Sequence, residues 1–292
     1  MKKLQITFAR ALAITSPLLI AAIICSCSSS GASRSASSKS PLLEYRMASS
    51  SGYGYVQKTS TDQYMDIQGQ SVSVLTNSLI GFTAKNAIAE SGSVSFDIVI
   101  DTAGMSVNSM MDDSNTDFRL KGKEFRMSVE PNGKIISLGT ASTIRFGDGL
   151  TSAGDLAAMF QEMFPVFARK EISPGDVWTS TDTSSVKTQV SDMVTITRGN
   201  NTFTGYATIG GRNCMQINSV IEGTRSVKAN TQGMDVYMLI PFKGTETIWF
   251  DGNEGVLVKY ESSVQGEGNV EITGMGMSVP MSIIIKGSLE LK

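Results

Sequence analysis

From "SVSFDIVI" (93–100) to "NVEITGMG" (269–276) the chain repeats one grammar. Runs of Val, Ile, Thr, Tyr and Phe alternate with short clusters of Gly, Asn, Asp and Pro. β-Branched and aromatic side chains suit a pleated, half-buried surface, and the clusters between them are turn formers. Turns are predicted at Pro131-Asn132-Gly133, Gly199-Asn200-Asn201, Gly210-Gly211 and Asp251-Gly252-Asn253. Strands joined by such short turns pair antiparallel. The body therefore reads as mainly β, between all-β and α+β.

Alternation sets which side chains share a face, because residues two apart in a strand point the same way. Phe125, Met127 and Val129 fall on one face, and Glu124, Arg126 and Ser128 on the other. Met275, Met277, Val279, Met281, Ile283 and Ile285 form a second apolar row, backed by Gly, Ser and Pro. Met234, Val236, Met238, Ile240 and Phe242 form a third. Three uses of these methionines stay open: a filled core, a cavity for an apolar ligand, or thioether coordination of Cu(I). Mixing with Val and Ile, which coordinate nothing, weighs against the metal.

One segment changes period. In "TSAGDLAAMFQEMFPVF" (151–167), Leu156, Met159, Phe160, Met163 and Phe164 recur at helical spacing. Ser152 is a plausible N-cap with Asp155 three residues on, and Pro165 stops the helix, predicted over 152–164. Its apolar stripe must lie on something, either packing on the sheet or gating a cavity. Pro174-Gly175-Asp176 then reads as a turn delivering Val177 and Trp178 into a strand. A faint internal match aligns "KGKEFRMSVEPNGKIISL" from Lys121 with "KGTETIWFDGNEGVLVKY" from Lys243. It suggests two related β halves, 42–150 and 173–292, joined by the helix; hairpin grammar recurring by chance gives the same match.

Composition removes several chemistries. Histidine is absent from the whole chain, so Ser-His-Asp sites and His-based metal sites are impossible within it. "MMDDSNTD" (110–117) lacks calcium-loop spacing and reads as a solvated turn. No convergent catalytic cluster, metal site or cofactor motif is readable, and the expectation is a non-enzymatic protein. Charges of both signs are scattered without a basic patch, which argues against nucleic acid.

The N-terminus carries a processing signal. "MKKLQITFAR" has Lys2, Lys3 and Arg10 and no acid, and "ALAITSPLLIAAII" follows. That is a positive n-region and an h-region, short for a membrane span. It runs into "AIICSCSSSG", which resembles the bacterial lipoprotein signal. The resemblance implies a signal peptide over 1–26 and lipidation at Cys27, with Cys25 as the alternative, by acyl chains of the palmitate kind. Ser28, where an Asp would signal inner-membrane retention, points to the periplasmic face of the outer membrane. Residues 27–41, rich in Ser, read as a flexible tether, and 42–292 as the β domain. Loss of the n-region leaves 22 basic residues against 27 acids, a net charge of about −5. With Cys25 and Cys27 so used, Cys214 remains, best read as a small buried apolar residue.

"VFARKEISPGDVWTS" and "GNEGVLVKYES" resemble stretches of uncharacterised Gram-negative lipoproteins. By architecture the whole is similar to the lipoprotein-carrier half-barrels of the LolA, LolB and LppX type, which implies a large curved antiparallel sheet wrapping a helix. The function expected on that ground is binding of an acyl chain or other apolar ligand, or of an envelope protein partner. The lining residues would be Leu156, Met159, Phe160, Met163, Met234, Val236, Met238, Ile240, Met275, Met277 and Met281. The competing class is a structural or assembly lipoprotein with no cavity.

Overall fold

In this computed structural model the described residues are 42–47, 52–67, 69–109, 113–146, 154–168, 170–187, 191–231, 234–273 and 276–292. The strand grammar is realised almost throughout. The first meander holds β1 (Tyr53–Ile67), β2 (Gln70–Glu90), β3 (Ser93–Ser109), β4 (Asp113–Asp117), β5 (Glu124–Val129) and β6 (Ile135–Ser137). Two short strands, β7 (Arg145–Phe146) and β8 (Gly154–Asp155), pair with each other and lead into α1 (Leu156–Phe160). The second meander holds β9 (Val177–Lys187), β10 (Ser191–Ile209), β11 (Arg212–Thr231), β12 (Met234–Asp251), β13 (Val256–Ile272) and β14 (Met277–Leu291).

All pairings are antiparallel, and β1 pairs with β14, so the two meanders fuse into one 12-stranded sheet. Its order is β6-β5-β3-β2-β1-β14-β13-β12-β11-β10-β9, with β4 beside β3. Among the described residues no pairing joins β9 to β6, so the sheet is open. It is also curved. Side chains of β9 and β14, five strands apart in the order, line one cavity. In a flat sheet they would stand about 24 Å apart. Register shifts at Gly81/Phe82, Phe203/Gly205 and Trp249/Phe250 supply bends of the kind bulges give.

The inner face is filled at one end and open at the other. A plug fills it: α1 and its continuation bury Leu156, Phe160, Met163, Phe164 and Phe167. Phe160 meets Phe82 and Phe125 at 5.0 Å, edge to face. Phe164 meets Tyr45 at 5.8 Å, Tyr55 at 6.1 Å and Phe96 at 6.2 Å. Such pairs add to the burial of large apolar area. A strap at Leu43–Met47 completes this end, with Leu43, Tyr45 and Met47 buried. Two hairpin turns grip it: Tyr45 N donates to Pro131 O (2.7 Å), and Arg46 N to Gly255 O (3.0 Å). These turns belong to the two segments matched in the sequence, at Gly133 and Gly255. Towards the other end of the sheet a smaller cluster gathers Ile240, Met281 and Ile283, with Met65, Met238, Val270 and Ile285 against it.

The turn predictions hold at four places, among them Pro174-Gly175-Asp176 before β9, and fail at two. Gly210 and Gly211 close the β10–β11 hairpin with φ of 55° and 80°, as a two-residue primed turn requires. Pro131-Asn132-Gly133 joins β5 to β6, and Asp251-Gly252-Asn253 begins the β12–β13 turn. Gly199-Asn200-Asn201 instead lies inside β10. Asn201 is satisfied there across strands: it donates to Ser180 Oγ (3.0 Å) and accepts from Ser219 Oγ (2.7 Å). A polar side chain so paired has no need of a turn. Asp113–Asp117, read as a solvated turn, forms β4 against Gly104–Asn108. The regular helix is shorter than 152–164, spanning Leu156–Phe160. Its N-cap is Asp155, which accepts from Ala158 N at 2.9 Å; Ser152 lies outside the described residues. No helix among the described residues is long and apolar enough to cross a membrane.

Candidate functional site

The plug covers one end of the inner face and leaves a cavity beside it. Its volume is about 460 Å³, within the range of small-molecule sites. The roof comes from the plug: Ala158, Met159, Glu162, Met163 and Phe164. The floor and walls come from β9 to β14, the inward side of β1 and the β5–β6 turn at Gly133–Ile135. Strand phase decides which side chains take part. On β12 the inward row is Ile240, Phe242, Gly244, Glu246, Ile248; on β14 it is Ile283, Ile285, Gly287, Leu289. Gly223 lets the sheet close in here, since a Cβ would fall 2.6 Å from Phe242 Cζ and against Ile196 O.

The cavity is two-sided: its apolar side chains come from the plug and β11 to β14, whereas Ser180, Asp182, Ser184, Thr195, Thr197 and Asn201 make the β9 and β10 side polar. Two further polar clusters stand out. The first joins plug to sheet. Glu162 pairs with Arg225 at 3.0 Å and accepts a hydrogen bond from Ser184 Oγ. Arg225 Nε also donates to Thr195 Oγ1 at 3.0 Å. The second lies on the sheet itself: Tyr260 OH donates to Glu246 Oε1 at 2.7 Å. Desolvation raises the Glu246 pKa, opposed by that hydrogen bond. The Tyr260 hydroxyl is also pushed well up, by burial first and then by the charge of Glu246. Both shifts mark a poorly solvated wall.

The expected lining residues separate into groups. Met159, Met163 and Ile240 line the cavity. Leu156 and Phe160 are buried in the aromatic core under the plug rather than facing the cavity. Met281 is buried beside Ile240 and Ile283, with Met238 against them, adjoining the cavity wall. Met277 and Val236 are half-buried and in phase with those rows, facing each other across the sheet through Ile272. Met234 is the first residue of β12, and Met275 lies outside the described residues, as do Cys25 and Cys27. Cys214 is buried, and its thiol pKa is pushed up to about 11, mainly by desolvation. Among the described residues no group of three His, Cys, Asp or Glu could hold a metal ion.

Sequence reasoning missed the polar wall. A signal was present: Glu246 is in phase with Ile240, Phe242, Ile248 and Phe250, an acid on an inward row. Arg225 is likewise in phase with Ile217 and Ile221.

No protein family and no curated protein matches the chain. Among solved structures it is similar to OccK5 (OpdH) of Pseudomonas aeruginosa, at TM-score 0.30 and 5% identity, covering 82% of this chain and 98% of that one. It is also similar to a putative outer membrane lipoprotein-sorting protein domain from Vibrio parahaemolyticus, at TM-score 0.16 and 11% identity, covering 81% and 85%. A DUF1329 family protein from Desulfovibrio piger gives TM-score 0.15 and 11% identity, covering 81% and 85%. Likenesses this distant carry no argument about what this chain does.

Proposed function

We propose that this chain is a lipid-anchored protein of the bacterial cell envelope that binds an apolar-tailed ligand between its plug and its sheet, without catalysis. The observation that carries the reading is the cavity of about 460 Å³, bounded by Met159, Met163, Ile221, Ile240, Phe242, Val264, Ile283 and Ile285. Apolar side chains left around a void forgo the contacts that a close-packed interior makes, and a tail supplies them. Flexible methionines at its roof suit a tail of variable shape. The anchor rests on the "AIICSCSSSG" signal, and the outer-membrane address on Ser28.

The test uses the chain from residue 28 onward, whose unit Lys39–Lys292 contains the whole described core. Native mass spectrometry with added acyl ligands is expected to show one bound molecule per chain. Ile285→Trp together with Ile240→Trp, which intrude on the void from two strands, are expected to weaken binding roughly tenfold or more. A chain that takes up no acyl ligand, or that binds equally well with the void so narrowed, overturns the reading and favours a structural or assembly role.

A further inference from the structure

The cavity lining also carries charged side chains. Its charged lining residues are Lys134, Glu162, Asp182, Arg225 and Glu246. Lys134 and Asp182 are exposed at the rim. Arg225 is already matched, with Glu162 at 3.0 Å and Thr195 at 3.0 Å. Both oxygens of Glu162 are in turn occupied, by Ser184 and Arg225. Glu246 differs. Its Oε1 accepts from Tyr260, and its Oε2 has no protein partner among the described residues. It stands on the inward row of β12 between Phe242 and Ile248, two residues that line the same void.

Resting on the binding reading above, we infer that the ligand is an amphiphile with a non-anionic, hydrogen-bond-donating head, a hydroxyl or amide N–H placed at Glu246 Oε2. A carboxylate or phosphate head brought there meets a like charge on a partly buried wall, where repulsion is stronger than in bulk water. A hydroxyl or amide N–H supplies the donor that the carboxylate oxygen lacks, and hydrogen bonds to an ionised acceptor are the strong ones. The retained Tyr260 bond fixes which oxygen faces the ligand. Desolvation of Glu246 is consistent with this wall being poorly hydrated.

Two probes with one tail length separate the heads: 1-monooleoylglycerol, uncharged with two hydroxyls, and oleate, anionic. Binding of each to the chain from residue 28 onward is measured by calorimetry at several pH values from mildly acidic to alkaline, with the discrimination expected to grow as pH rises and Glu246 loses its proton. Monooleoylglycerol is expected to bind at least roughly tenfold more tightly than oleate. Glu246→Gln keeps the size and the acceptor for Tyr260 and is expected to bring oleate to within about threefold of monooleoylglycerol. Should Glu246→Gln fold poorly, the pH series on the unaltered chain tests the same charge: discrimination against oleate that does not change with pH overturns head selection. Equal affinities in the unaltered chain, or a gap that Glu246→Gln leaves unchanged, overturn head selection while the binding reading stands. Failure of both probes to bind overturns both.

Discussion

A single acid on an apolar row has consequences for stability as well as for binding. Burial raises the Glu246 pKa above its unfolded value of about 4.3. The folded chain then holds that proton more tightly than the unfolded chain does. Its contribution to stability is greatest in acid and is lost as pH rises from the unfolded value through the folded one. Glu246→Gln is therefore expected to match the parent in urea midpoint at acidic pH and to exceed it at mildly alkaline pH. A midpoint difference that does not change with pH refutes this. Gly133 makes a different demand. It has φ of 95°, and a Cβ there would lie 2.5 Å from both Pro165 O and Tyr45 Cε2. Gly133→Ala is expected to destabilise by on the order of 1–3 kcal/mol, read from the same urea transitions. Gly133 was legible as a turn residue from Pro131-Asn132-Gly133. That the turn closes on the plug was not, because Tyr45 and Pro165 are distant in sequence. Asn201 shows the converse: its local preference says turn, and its cross-strand partners Ser180 and Ser219 override it.

At the scale of elements, the plug is the least self-sufficient piece. A five-residue helix is far too short to stand alone in water. Backbone hydrogen bonds tie its ends, Leu156 N to Ile144 O and Phe167 N to Asn132 O; its side chains add aromatic packing beneath Phe160 and Phe164, and the Glu162–Arg225–Ser184 cluster at its rim. Their weights differ. The Glu162 and Arg225 side chains are 40% and 28% exposed, so that pair is worth at most about 1 kcal/mol. Phe164 is buried against Tyr45, Tyr55 and Phe96, and Phe164→Ala is expected to cost about 3–5 kcal/mol. Chemical denaturation of Phe164→Ala and Glu162→Gln compares them directly. If Glu162→Gln proves as costly as Phe164→Ala, the plug is latched rather than wedged. The helical stripe through Leu156, Met159, Phe160, Met163 and Phe164 was readable because its period is local. Its short regular extent was not, since Asp155 fits both the third position after Ser152 and the cap itself.

At the scale of the described domain, the main sheet is sewn from two meanders, and the seam is the β1–β14 pairing. The class of fold was legible from alternation and turns, and Met277 to Ile285 alternates inward and outward as its period says. The seam was not legible, because a strand carries no local mark of its distant partner. Since it ties both meanders into one core, unfolding is expected to be a single transition. Cys214, buried in β11 with its thiol pKa raised, reports on that. Its reaction with a thiol reagent is expected to follow global unfolding, with the same denaturant dependence as circular dichroism; faster reaction in dilute denaturant would reveal a separately opening half. The seam also gives the sheet a direction of mechanical weakness. Tyr55 faces Leu291, and Lys292 N donates to Gly54 O at 2.9 Å, so the two strands begin and finish at the same edge. Tension applied at those ends loads the seam's bonds one after another, as a zip does, instead of all together in shear, and the domain yields to a gentle pull although the same bonds hold it firmly at rest.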